Sequence, residues 1–216
     1  MRRLIIERSA IRNNMAVIKE RAQGAALYGV VSGQGGGVGA VRLARLLRDA
    51  GVTRFGVNSV EEAQLLRESG FETEEILMLR STVDREELER LVDLSVVCTV
   101  SSVDTGLALN AVAENRSTVA EAHIQVDTGL GFGGFLISEP EKILLAYRSL
   151  PNVALSGIYT QLHAVTGKSQ EVDGQLGQFQ QVLEAIHQAG FETGTVHAAG
   201  SFALMHFDDA RLDAVR

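Results

Sequence analysis

The chain holds one cysteine and two prolines in 216 residues. The lone thiol, Cys98, cannot close an internal disulfide, so no disulfide framework supports this fold; a reducing cytoplasm is the compartment that fits. Positive charge is also short. Twenty Lys and Arg stand against 27 Asp and Glu, a net charge of −7. Nucleic acid and anionic membranes both call for a basic face, so neither is an expected partner. No apolar run approaches the ~20 residues of a membrane span. The opening Met1-Arg2-Arg3-Leu4-Ile5-Ile6 runs at once into charge and holds no signal-peptide core.

Glycine is the residue in excess, at 22 of 216 positions. Short, nearly continuous apolar runs alternate with helical patterns. The runs at 26–32, 54–58, 75–80, 95–100, 121–127, 155–162 and 194–199 read as strands buried on both faces. Between them, apolar residues at helical spacing predict helices over 39–50, 61–69, 84–92, 103–114, 139–149 and 171–189. A leading helix over 9–22 is expected to start on Ser9 as N-cap. No linker or compositional break divides the chain, so 1–216 is expected to be a single domain. Recurring βα units imply a parallel sheet with right-handed crossovers. The predicted fold is α/β, a (β/α)8 TIM-type barrel. Its eighth strand starts near Ala214-Val215-Arg216 and is expected to be a truncated stub. A doubly wound open sheet is the structural alternative.

In a barrel, chemistry sits at the C-terminal strand ends. The first of these runs Ser32-Gly33-Gln34-Gly35-Gly36-Gly37-Val38-Gly39. Gly35-x-Gly37-x-x-Ala40 formally matches a dinucleotide fingerprint, in which backbone amides cradle a pyrophosphate. The next strand ends in Asn58-Ser59, with no acid for a ribose hydroxyl, so a βα loop whose glycines simply remove side chains is the preferred reading.

Several blocks, in order, carry a family resemblance. They are Ser9-Ala10-Ile11-Arg12-Asn13-Asn14, Phe55 through Ala63, Val126-Asp127-Thr128-Gly129-Leu130-Gly131, Gly157-Ile158-Tyr159-Thr160, His197 through Ser201, and Leu212 through Arg216. The chain resembles the N-terminal barrel of alanine racemase and its relatives, the fold-type III pyridoxal-phosphate (PLP) enzymes. The resemblance implies PLP as cofactor, with Ser201 at its phosphate and Arg216 at its pyridine nitrogen. It also implies a second domain, carrying a catalytic tyrosine, that has no counterpart in this sequence. Because the family dimerises partly through that domain, a monomer is expected.

The departures sit where the resemblance places function. Ser32 stands at the Schiff-base lysine and Gly36 at the first-strand tyrosine. Gln125 and Phe132 replace a lysine and an arginine around the fifth strand. Gln161 replaces the sixth-strand histidine, and Gly200 replaces an asparagine beside the phosphate. A hydroxyl cannot form an imine, so neither covalent cofactor nor racemisation is expected. The scaffold positions keep the family pattern while the pocket positions change. The expectation is therefore an engineered or repurposed barrel with a rebuilt small-molecule site.

Two chemistries remain for that site. One is nucleophilic ester hydrolysis, with Ser32 as nucleophile, His163 as base and Gln161 as orienting group. The other is a catalytically dead barrel that binds PLP or another small ligand non-covalently through Gly200, Ser201 and Arg216. Cys98 with His123 is a further nucleophile and base pair, although a lone buried cysteine reads first as a small hydrophobe. His197 and Asp127 belong to family blocks and read as structural. Of the lysines, Lys19 and Lys142 fall on helices and Lys168 in a loop, so none serves as a strand-end amine. The histidines show no ligand spacing, and no metal is expected.

Overall fold

The computed structural model describes residues 5–163 and 169–216; the expected loop position of Lys168 lies outside them. Helix α1 (Arg8–Ala22) leads into strand β1 (Ala26–Val30). A turn, α2 (Ser32–Gly36), and helix α3 (Ala40–Asp49) follow. The βα pattern then repeats through β2 (Arg54–Val57), α4 (Val60–Glu68), β3 (Glu75–Met78), α5 (Arg85–Asp93), β4 (Cys98–Val100) and α6 (Val103–Asn115). It continues with β5 (Ala120–Asp127), the two-residue β6 (Phe135–Leu136), α7 (Pro140–Ser149), β7 (Val153–Thr160), α8 (Ser169–Gln188) and β8 (Thr195–His197). A short helix α9 (Ser201–His206), a 3-10 turn (Asp208–Ala210) and β9 (Ala214–Val215) complete it.

Every paired strand runs parallel, in the order β3-β2-β1-β9-β8-β7-β5-β4, with β6 attached to β5. A parallel bridge from Leu77 to Val97 joins the two ends of that order. The sheet is therefore a barrel of eight strands, not an open doubly wound sheet. The eighth barrel strand is the stub Ala214–Val215, pairing with Ala26 and Leu27 on one side and His197 on the other.

Local chemistry starts several helices where the sequence places them. Ser59 Oγ accepts from the Glu62 amide to cap α4, and an Asp84 carboxylate oxygen accepts from the Glu87 amide to cap α5. Ser102 and Thr105 form a reciprocal capping box on α6. The expectation for α1 is corrected. Glu7 occupies its N-cap without a side-chain bond, and Ser9 lies inside the helix. The main apolar core fills the layer between strands and helices, with Phe55, Phe71, Ile124, Ile158 and Phe179 fully buried.

The glycine-rich segment after β1 is a left-handed turn. Gly33, Gln34 and Gly35 all sit near φ +60°, and Gly36 follows at +64°. Glycine populates this region freely, while Gln34 does so at a cost. Glu62 fixes the turn by accepting from the amides of Gly33 (2.8 Å) and Asn58 (3.0 Å). A carboxylate at that amide repels a pyrophosphate, so the dinucleotide reading of Gly35, Gly37 and Ala40 has no physical support.

Candidate functional site

The barrel interior carries a stack of polar aromatics that no sequence motif brings together. Tyr28 from β1, His197 from β8 and Tyr159 from β7 lie ring on ring, with centroids 5.3 Å and 4.8 Å apart. Strand alternation places them: inward positions recur every second residue, so Tyr159 leads to Gln161 and His123 to Gln125. That period, applied to the strand ends, was the available signal. Gly157 makes room beside the stack, because a Cβ there would lie 2.5 Å from His123 Nε2.

A hydrogen-bond chain crosses this stack and fixes its protons. Arg216 can only donate, so His197 Nδ1, at 2.5 Å from its Nη1, must be the acceptor. His197 Nε2 then carries the hydrogen and donates to His123 Nδ1 at 2.9 Å. Burial, with Arg54 and Arg216 nearby, holds His123 down to about 4 and His197 well below its ordinary value. Both rings are neutral at physiological pH. Burial also lowers Arg216, to about 10, which leaves it cationic. On the far side Tyr28 donates to Glu75, which Arg54 also pairs at 3.2 Å.

Arg216 is the anchor of the site. Its Nη2 donates to Thr160 O at 2.8 Å and to Gln161 Oε1 at 2.9 Å. With the bond to His197, three of its five donors are spent. Arg216 also lines a cavity of about 420 Å³ at the C-terminal strand ends, together with Asn58, Gln125, Gln161, Gly200 and Ser201. Among the described residues, no carboxylate is in that wall and Arg216 is its single cation. Gln125 is only 6% exposed and spends one long bond, 3.4 Å, on Phe132 O. Phe132 stands at the lip, 76% exposed.

The residues expected to act together therefore separate into two groups. Gln161, Gly200, Ser201 and Arg216 share the mouth cavity. Ser32 and His163 do not line it, and no hydrogen bond joins them. His163 is exposed, its amide donating to Gln175 Oε1 and its Nδ1 lying 3.6 Å from Glu171. Two strands, β9 and β8, lie between the strands that carry the pair. Gln161 bonds Arg216 rather than orienting a base. Cys98 and His123 are apart in function too. The thiol donates to Val96 O and is pushed up to about 12 by burial, while His123 is bound to His197. Asp127 accepts from the amides of Gly129 and Gly131 and holds the loop after β5, a structural role. Among the described residues, no cluster of metal-ligating side chains occurs and no helix is long and apolar enough to cross a membrane.

A family model described as the N-terminal domain of alanine racemase matches residues 6–216. The chain belongs to the alanine racemase family. It is 32% identical to the alanine racemase of Desulforamulus reducens over 216 residues, which is 98% of this chain and 57% of that protein. The enzyme of Carboxydothermus hydrogenoformans is also 32% identical, over 95% of this chain and 55% of its own length. Among solved structures, the alanine racemase of Clostridium difficile 630 superposes with a TM-score of 0.90 at 26% identity, covering 96% of this chain and 55% of that one. The enzyme of D-cycloserine-producing Streptomyces lavendulae gives 0.90 at 25% identity, covering 98% and 56%. The chain thus spans little more than half the length of the alanine racemases it matches. The barrel is the shared part.

Proposed function

We propose that the barrel mouth binds a small flat molecule without a covalent bond, and that this barrel does not interconvert amino-acid enantiomers. One observation carries the reading. Arg216 is locked by His197, Thr160 and Gln161, and its Nε–H and one Nη1–H keep no protein partner among the described residues. Two oriented, partly desolvated donors at a cavity wall suit a hydrogen-bond acceptor such as a ring nitrogen.

PLP is the ligand chemistry that the family suggests, and the residues fit it in part. Arg216 and Ser201 would hold it, and its electron-poor ring would supply acidity to a bonded substrate. The covalent form does not fit, because Ser32 offers a hydroxyl where an amine is needed. Arg216, His197 and Ser201 remain family-like, while the pocket positions Ser32, Gly36, Gln125, Phe132 and Gln161 differ. That split supports a barrel repurposed for binding. Ester hydrolysis finds no support in the placement of Ser32 and His163. We further propose that the barrel acts as a monomer, which analytical ultracentrifugation measures directly.

Native mass spectrometry tests the reading, with PLP and with pyridoxine phosphate, which lacks the aldehyde. Both are expected to add one ligand mass that is lost on denaturation. Arg216→Met is expected to abolish both complexes. Absence of any complex at saturating ligand, or a complex indifferent to Arg216→Met, overturns it.

A further inference from the structure

A second cavity, of about 270 Å³, lies between α1, β1 and α9. Its wall includes Met15 and Ile18 from α1, Leu47 from α3, and Leu204 and Met205 from α9. It shares Val30, Ser201 and Arg216 with the mouth cavity, so the anchoring arginine borders both spaces. Apart from Tyr28, Ser201 and Arg216, every lining side chain is apolar or glycine.

The two cavities differ in chemistry. Among the described residues, the mouth offers carboxamides from Asn58, Gln125 and Gln161 around one cation, with no carboxylate. The side cavity offers hydrocarbon and two of the chain's four methionines. Methionine is unbranched and polarisable, and it adapts to irregular apolar guests better than leucine or valine. An acceptor held on Arg216 therefore sits on a residue that also walls the apolar cavity.

We propose that the ligand of this barrel is amphipathic: a neutral polar ring at Arg216, with an apolar chain that fills the side cavity between α1 and α9. The inference rests on the reading of the mouth as a ligand site and adds the class of molecule it takes. At ~30 Å³ per water, the side cavity corresponds to about nine water volumes, room for a short alkyl chain.

The test is a series of N-alkyl nicotinamides, from methyl to octyl, titrated calorimetrically against the whole chain. The ring nitrogen supplies an acceptor for Arg216, and the alkyl chain probes the side cavity. Affinity is expected to rise about fourfold per methylene and then fall once the cavity is full. Met205→Trp, which fills the cavity, is expected to flatten that rise. Leu204→Ala, which enlarges it, is expected to move the optimum to a longer chain; thermal unfolding verifies that each variant is folded. Equal affinities along the series, with the methyl member bound, overturn the inference and leave the mouth site standing. If no member binds, the mouth reading fails and the inference fails with it.

Discussion

Gly157→Ala puts a methyl group where His123 already is. The added Cβ would lie 2.5 Å from Nε2 and 2.6 Å from Cδ2 and Cε1 of that ring. The ring cannot swing aside cheaply, because its Nδ1 is bonded to His197, itself stacked between Tyr28 and Tyr159. Overpacking of a rigid core costs about 1–3 kcal/mol, and loss of the His123–His197 bond adds about 1 kcal/mol. We expect Gly157→Ala to destabilise the barrel by about 2–4 kcal/mol. At roughly 2–4 °C per kcal/mol for a chain of this size, the melting temperature falls by about 4–16 °C. Gly177→Ala is the matched control. It lies in α8 with nothing within 4 Å of the new Cβ, and is expected to stabilise by about 0.5–1 kcal/mol. Urea unfolding measures both. The decisive comparison is a double-mutant cycle with His123→Ala. Once the ring is gone the methyl has nothing to strike, so Gly157→Ala should cost almost nothing in that background. A full, additive cost there would refute the steric argument.

Stability should also depend on pH in one direction. The unfolded histidine titrates near 6.5, while His123 in the fold is held down to about 4. Between those values the unfolded chain binds protons that the folded chain does not. Stability is therefore complete above about pH 7 and is lost as pH falls from about 6.5 toward about 4, by roughly 3 kcal/mol for His123. Denaturation midpoints at pH 7.5 and 5 should show this, and His123→Asn should reduce the difference. Ser32→Ala and His163→Ala should leave any ester turnover unchanged, and a fluorophosphonate should not label Ser32; loss of turnover in both variants would restore the pair. Cys98, with its thiol pushed up to about 12 by burial, should react with Ellman's reagent only after denaturant is added.

The barrel was legible because its signal is periodic. Seven apolar runs set the seven longer barrel strands, and each observed strand overlaps the expected one. The ends were less legible. β1 stops at Val30 rather than residue 32, because the left-handed turn takes over. The helix α9 was missed, since six residues around Phe202 are too few to display a helical stripe. Within the site, Gly200, Ser201 and Arg216 came from the family resemblance and Gln161 as partner to the Ser32–His163 pair; that all four line one cavity appears only in the fold. The Ser32–His163 pair was not decidable from sequence, because strand position says which end of the barrel a residue occupies and not which neighbours it faces. The His123–His197–Arg216 chain was hidden for the same reason. Its members are 74 and 19 residues apart in sequence and meet only across the closed sheet.

The left-handed turn after β1 limits which side chains its positions accept. An L-residue with a side chain costs roughly 1–2 kcal/mol in that hand, and glycine escapes this at 33, 35 and 36. Restoring a tyrosine at Gly36 would place a bulky side chain at φ +64°. A lysine at Ser32 would meet no such penalty, because the left-handed backbone begins only at Gly33. The side chain at Gly36 is accommodated only if the loop rewinds, and rewinding must release the amide of Gly33 from Glu62. The loop is therefore set as a unit: residues 33–36 share one left-handed winding, and a side chain that needs the opposite hand at one of them must rewind all four together.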